Sequence, residues 1–70
     1  MPKIIESNPN VLGGKPVIKG TRIPVARILA LLGMDYTLTD IRNEFPQLSL
    51  LTKENLSDIL TYYQSKLQYR

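Results

Sequence analysis

The chain has 70 residues, which is enough for one small domain. Nine Lys and Arg residues against six Asp and Glu give a formal net charge of +3, and 43% hydrophobic with 21% charged residues excludes collagen-like, low-complexity and wholly disordered chains. The absence of Cys and His excludes a disulfide, a Cys/His zinc site, a thiol nucleophile and an imidazole base.

A chain of this size buries only about 60% of the surface that its unfolded form exposes. Without a disulfide or metal, further stability comes from helix packing or from a partner chain, so we expect a homodimer. The longest apolar run, Ile28 to Leu32, is far too short to span a bilayer, and the residues after Met1 do not form a signal peptide. These features predict a cytoplasmic protein without membrane contact.

The first third of the chain is rich in Gly and Pro, which excludes a helix there. Its short β-branched patches predict a hairpin within residues 3–19, in which residues 3–6 pair with residues 16–19. A tighter hairpin that turns on Gly13 and Gly14 is the alternative. An isolated hairpin is marginal in water, so it must pack on helices, extend a partner's sheet, or both. We expect strand pairing between two copies, through the interface residues Ile4, Ile5, Val17 and Ile18.

The first helix is predicted over residues 24–33. Pro24 suits its first turn, and Gly33 is expected to end it. An apolar face recurs at helical spacing between these two residues, at Val25, Ile28, Leu29 and Leu32.

Two further helices are predicted over residues 38–45 and 52–68. Thr37 and Asp40 form a capping box for the second helix, Pro46 ends it, and Thr52 caps the third. The inward residues are Leu38, Ile41 and Phe45 in the second helix, and Leu56, Ile59, Leu60, Tyr63 and Leu67 in the third.

The predicted fold is therefore mainly α, one domain over residues 1–70, with an N-terminal β-hairpin followed by a three-helix, homeodomain-like bundle. In such a bundle the second and third helices form a helix-turn-helix. The link between them contains Pro46 and is longer than the three or four residues that a helix-turn-helix usually uses.

Catalytic equipment is not evident in the sequence. The segment around Gly20 does not match a phosphate-binding loop, since Gly20 is followed by Thr21 and Arg22 rather than by Lys and Ser or Thr. The acidic residues are spread over predicted helix ends and faces, unlike paired catalytic carboxylates. We therefore expect no enzyme activity, no cofactor, no metal and no small-molecule substrate.

The positive charge is concentrated at the N-terminal end. Residues 1–27 hold five basic residues and one acidic residue, a net charge of +4, whereas residues 28–70 hold four basic and five acidic residues, a net charge of −1. A solvated basic surface and a phosphate-binding surface are both consistent with this pattern. The candidate DNA-binding residues are Lys15, Lys19, Arg22, Lys53 and Asn55.

The end of the third helix is rich in tyrosine. Tyr62 and Tyr69 are seven residues apart, so they fall on one outer stripe of the helix near Lys66 and Arg70. Exposed Tyr beside Arg is typical of protein interfaces. Two solvent-exposed tyrosines at a frayed terminus are the alternative.

The glycine- and proline-rich segment also resembles a known family. Pro9, the run Gly13-Gly14-Lys15-Pro16-Val17-Ile18 and the run Gly20-Thr21-Arg22-Ile23-Pro24-Val25, followed by Phe45-Pro46, Leu48 and Leu56, resemble the bacterial and archaeal domain of unknown function 433. The resemblance implies a homeodomain-like fold with an N-terminal hairpin. It also implies an antitoxin that neutralises a PIN-like, metal-dependent ribonuclease toxin and represses its own operon.

If the chain is such an antitoxin, the end of the third helix is the expected toxin-binding surface. Its residues there are Tyr62, Lys66, Tyr69 and Arg70, with the two cations directed at the carboxylates of the toxin. The alternative function is a free-standing DNA-binding regulator that has no toxin partner.

Overall fold

A hairpin followed by three helices is the architecture of the chain in a computed structural model, as the sequence predicts. The structure describes the backbone of residues 1–68 and the side chains of residues 1–65. The strands are β1 (Ile5–Glu6) and β2 (Val17–Ile18), and the helices are α1 (Val25–Gly33), α2 (Leu38–Glu44) and α3 (Lys53–Gln68). Short 3₁₀ turns lie at Leu12–Gly14 and Pro46–Leu48.

The hairpin is the longer of the two that the sequence allows. β1 and β2 are antiparallel, with Ile5 opposite Ile18 and Glu6 opposite Val17. The segment between them is folded back by a left-handed turn, in which Leu12, Gly13 and Gly14 all have positive φ. Two glycines suit this conformation because they have no Cβ to clash with the backbone.

The hairpin packs on the chain itself, and the sheet shared between two copies stays a prediction. The second edge of β2 pairs with the entry to α1: Ile18 N–H donates to the Ile23 carbonyl at 2.9 Å, and Val25 N–H donates to the Pro16 carbonyl at 3.0 Å. On the outer edge of β1, Ile5 N–H donates to the Pro2 carbonyl at 3.1 Å.

The side chains of the predicted dimer interface are also in use. Those of Ile5, Val17 and Ile18 are buried in the chain's own core, and only Ile4 is half-buried. Strand addition needs unpaired backbone N–H and carbonyl groups. Dimerisation and the interface residues expected for it both remain predictions.

The hydrophobic core draws on both strands, all three helices and the α2–α3 link. Ile28 of α1, Ile41 of α2 and Ile59 of α3 are each 0% exposed, and each burial contributes roughly 1.5–3 kcal/mol to stability. The remaining members of this buried cluster are Ile5, Ile18, Val25, Leu31, Leu48 and Leu51.

Two of the predicted helix faces are shifted. In α1, Leu31 is buried, while Leu29 and Leu32, which were expected inward, are half-buried at the margin of the core. In α3, Leu60 is 45% exposed instead of inward, because the narrow core contact of this helix is centred on Ile59. The side chain of Leu67 lies outside the described residues.

The start of α1 differs from the prediction by one residue, whereas its end at Gly33 is confirmed. Pro24 is the N-cap residue rather than part of the first turn, since it forms a bridge with Val17. Gly33 belongs to the helix, and the chain reverses two residues later, where Asp35 has a φ of +67°. Tyr36 N–H donates to the Leu31 carbonyl and Asp35 N–H to the Leu32 carbonyl, which is the Schellman arrangement.

The predicted capping box opens α2. Thr37 Oγ1 accepts a hydrogen bond from Asp40 N–H at 3.1 Å, and Asp40 Oδ2 accepts one from Thr37 N–H at 2.9 Å. The backbone N–H of Thr37, and then its hydroxyl, hold the pKa of the Asp40 carboxyl below its usual value. The box therefore stabilises the fold fully above the unfolded pKa, near 4, and this contribution is lost as the pH falls through the lower folded pKa.

The link between α2 and α3 is folded against the core rather than shaped as a tight helix-turn-helix turn. Leu48 and Leu51 are buried, whereas Leu50 is 88% exposed. Arg42 of α2 donates from both Nε and Nη2 to the Leu51 carbonyl, the Nε bond being 2.9 Å long. The guanidinium thus fastens the start of α3 to α2.

Replacing Gly33 by Ala should stabilise the protein by about 0.5–1 kcal/mol, because Gly33 is helical and a Cβ there meets no neighbour. The same change at Gly20 is the matched control. A Cβ also has room there, but φ is +78°, so Gly20→Ala should destabilise by about 1 kcal/mol or more. Urea unfolding midpoints measure both effects, and equal shifts in the two variants would contradict the assigned backbone conformations.

Candidate functional site

Three of the predicted DNA-binding residues lie on the turns that flank β2. Lys15, Lys19 and Arg22 are all exposed, and none of them has an ion-pair partner among the described side chains. All three residues lie within or next to hydrogen-bonded backbone around β2, so their charges have defined positions on the surface.

The turn after β2 is stabilised by Thr21. Its backbone N–H and its hydroxyl both donate to the Ile18 carbonyl, at 3.0 and 2.8 Å, and its Oγ1 accepts from Ile23 N–H at 3.0 Å. Gly20 supplies the positive φ that the turn needs. Lys19 and Arg22 therefore leave the surface from either side of a rigid corner.

The other two predicted DNA-binding residues begin α3. Lys53 is exposed, but Asn55 is half-buried and has a structural role that the sequence analysis did not assign. Asn55 Oδ1 accepts from Thr52 N–H at 3.0 Å, and Thr52 Oγ1 accepts from Asn55 N–H at 3.0 Å. This reciprocal pair has the same geometry and the same three-residue spacing as the capping box at Thr37 and Asp40. The spacing of Thr52 and Asn55 in the sequence could therefore have predicted the capping role of Asn55.

A groove of about 140 Å³ brings Lys19 and Asn55 together. It lies between the hairpin and the α2–α3 link, and five of its eight lining residues are aliphatic. Leu50, whose exposure the sequence did not predict, stands on its wall. The full lining consists of Ile4, Ile18, Lys19, Gln47, Leu48, Leu50, Leu51 and Asn55.

The exposed surface of α3 divides into two stripes of different charge. One stripe contains no acid, and its residues are Lys53, Ser57, Leu60 and Gln64. The other contains two acids, and its residues are Glu54, Asp58, Thr61 and Ser65. Because phosphates are repelled by carboxylates, only the first stripe is suited to a nucleic-acid backbone.

The predicted toxin-binding end of α3 is partly outside the described residues. Tyr62, expected on an exposed stripe, is half-buried and packs against the core, with its ring perpendicular to that of Tyr63 and 5.2 Å away. It also lines a cavity of about 390 Å³ together with Pro2, Asp58, Thr61 and Ser65. The side chain of Lys66 and all of Tyr69 and Arg70 lie outside the described residues.

The part of the chain that the structure describes has neither a cluster of metal-binding side chains nor a membrane-spanning helix. There, acidic side chains do not gather in groups of three or more that would hold a metal ion. No helix in this part is long and apolar enough to cross a membrane.

The family relationship rests on residues 5–63, which match the family DUF433, described as "Protein of unknown function". This span includes the hairpin, α1, α2 and most of α3. The chain belongs to the DUF433 family. A DUF433 member protein from Anabaena variabilis ATCC 29413, solved by crystallography at 2.00 Å resolution, has the same fold, with a TM-score of 0.70 and 32% sequence identity over 89% of this chain.

Both relatives of this DUF433 chain are longer than it. The chain spans 58% of the Anabaena protein. It is also 35% identical, over 46 residues or 66% of its length, to the uncharacterized protein y4eO of Sinorhizobium fredii (strain NBRC 101917 / NGR234), of which it spans 21%. The DUF433 domain is therefore found in proteins with additional sequence.

Replacing Asn55 by Ala should lower the free energy of unfolding by about 1 kcal/mol, because the N–H of Thr52 loses its acceptor. Ser57→Ala, two residues further along and fully exposed, is the control and should change stability by less than about 0.5 kcal/mol. Thermal unfolding of the purified variants measures both. Equal stability of the Asn55→Ala variant and the wild type would show that the side chain is free for another role.

Proposed function

We propose that this DUF433 chain is an antitoxin that acts in the cytoplasm by binding and neutralising a PIN-like ribonuclease toxin. The observation that supports this best is the set of three exposed cations without described ion-pair partners, on the turns around β2. A metal-dependent ribonuclease gathers carboxylates in its active site, and a guanidinium group can bind a carboxylate through two parallel hydrogen bonds. Its action is binding rather than catalysis.

Of the two candidate toxin-binding surfaces, the hairpin turns are better suited than the described end of α3. Arg22 and Lys19 leave a corner that Thr21 and Gly20 hold rigid, so little side-chain and backbone freedom remains to be lost on binding. In contrast, Tyr62 lies beside Asp58, whose negative charge would repel the carboxylates of the toxin. We therefore place the main contact at Arg22, with Tyr62, Lys66, Tyr69 and Arg70 as the competing surface.

The test is co-expression with the product of the adjacent gene, followed by co-purification and an assay of RNA cleavage. Arg22→Glu should weaken toxin binding by roughly 30-fold, the equivalent of a 2 kcal/mol hot spot, and should restore cleavage. Lys3→Glu, an equal change of charge at an exposed site before β1, is the control and should leave inhibition intact. Deletion of residues 68–70 and Tyr62→Phe test the competing surface in the same assay.

The possible results distinguish a wrong choice of toxin-binding surface from a wrong function. Loss of inhibition on the deletion, with Arg22→Glu unaffected, would place the contact at the end of α3. Failure of the wild-type chain to bind or inhibit the ribonuclease would contradict the antitoxin function itself.

A second proposed activity is repression of the chain's own operon through DNA binding. It is supported by the acid-free stripe of α3, which begins at Lys53, and by the same exposed cations of the hairpin. Phosphate contacts of this kind would position the protein on DNA, whereas polar side chains along the stripe, such as Ser57 and Gln64, would meet base edges. Asn55 contributes less to this surface than expected, since its carbonyl oxygen caps α3.

DNA binding should be mainly electrostatic. A dimer that presents Lys15, Lys19, Arg22 and Lys53 twice would neutralise about six phosphates, which gives a log–log dependence of affinity on salt with a slope of roughly −5. Fluorescence anisotropy of labelled promoter DNA measures this slope, and Lys53→Ala should weaken binding to all sequences equally. No binding at low salt, with or without the toxin, would contradict this activity. Specific binding by a chain that has no ribonuclease partner would favour the free-standing regulator.

A further inference from the structure

The turn between α1 and α2 has a non-glycine residue, Asp35, in a backbone conformation that favours glycine. Asp35 occupies the left-handed position that reverses the chain after α1, with a φ of +67°. Glycine is the preferred residue there because any side chain brings its Cβ close to the backbone. Asp tolerates this conformation better than most residues, but it is still less favourable than Gly.

Nothing in the described part of the chain compensates for this choice. The carboxylate of Asp35 is exposed and makes no hydrogen bond or ion pair with a described residue. The start of α2 does not need it, because Thr37 and Asp40 already form the capping box there. Beside it, Met34 is 66% exposed. The turn therefore presents an apolar side chain and a negative charge side by side.

The groove that contains Lys19 is complementary to this turn. Its lining combines five aliphatic side chains with the polar groups of Lys19, Gln47 and Asn55, and it contains one cation and no acid. Its volume of about 140 Å³ is below the roughly 300–1,000 Å³ of pockets for small-molecule ligands, so it is better suited to one side chain. Leu50 on the wall of the groove is the most exposed large apolar residue of the described chain, at 88%.

We propose that the α1–α2 turn of one copy docks into this groove of a second copy. Met34 packs against the leucines of the groove, where its flexible, unbranched side chain adapts to an irregular surface, and Asp35 pairs with Lys19. Two-fold symmetry gives each dimer two such contacts, which closes the assembly. This interface is an alternative to strand pairing between two hairpins.

Most of the basic surface remains available in this dimer. Lys15, Arg22 and Lys53 do not line the groove and stay free for an anionic partner, whereas Lys19 is engaged, so each copy presents three of the four cations named for DNA binding. The proposal is tested on the purified chain alone, without toxin or DNA.

The experiment is sedimentation velocity with light scattering over a range of protein concentrations. Asp35→Asn removes the charge but keeps a residue that tolerates the left-handed backbone, and it should raise the dimer dissociation constant about tenfold. Lys19→Glu should weaken the dimer at least as much. The double variant Lys19→Glu with Asp35→Lys should restore association, since it exchanges the two charges.

Lys3→Glu is the matched control, because it makes the same change of charge at an exposed site that does not line the groove, and it should leave the dissociation constant unchanged. Circular dichroism confirms that each variant is folded. A wild-type chain that stays monomeric throughout, or a dimer that is unaffected by Asp35→Asn and Lys19→Glu, would overturn the proposal.

Discussion

The backbone of β2 is hydrogen-bonded on both sides, and most of the fold depends on this pairing. On one side β2 pairs with β1. On the other side it pairs with the residues that lead into α1: Ile18 N–H donates to the Ile23 carbonyl at 2.9 Å, and Val25 N–H donates to the carbonyl of Pro16, just before β2, at 3.0 Å. The two side chains of β2 are buried at the same time, so a strand of two residues fixes both the hairpin and the starting direction of α1. An isolated hairpin of this length would not be stable in water.

This arrangement also decides where the surface charge lies. The side chains of β2 are buried, so the exposed cations lie on the turns before and after it. These cations are Lys15, Lys19 and Arg22. The turn after β2 is stabilised by Gly20 and Thr21, which also position their charged neighbours Lys19 and Arg22. A substitution that loosens the turn would thus act on binding as well as on stability.

The features that the sequence predicted well are those that depend on neighbouring residues in the chain. The box at Thr37 and Asp40 and the end of α2 before Pro46 follow from local spacing and conformational preference. The strand register, Ile5 opposite Ile18, differs by one residue from a symmetric pairing of residues 3–6 with 16–19, because it depends on contacts with Pro2 and Ile23 that no periodicity reveals. Helix faces were predicted only approximately, since the choice between Leu29 and Leu31 depends on where the other elements pack.

The candidate site was less predictable than the fold. Residue type alone placed Asn55 among the DNA-contacting residues, although its position three residues after Thr52 gives it a capping role. The groove beside Lys19 combines Ile4, which precedes β1, with Ile18 of β2, the α2–α3 link and Asn55 of α3, so it exists only in the folded chain. The conformation of Asp35 likewise depends on the hydrogen bonds that end α1.

The bond from Arg42 to the Leu51 carbonyl has a consequence for motion. It crosses the link between α2 and α3, so the two helices are fastened near the point at which a hinge would otherwise form. Any movement of the start of α3 away from α2 would have to break this bond.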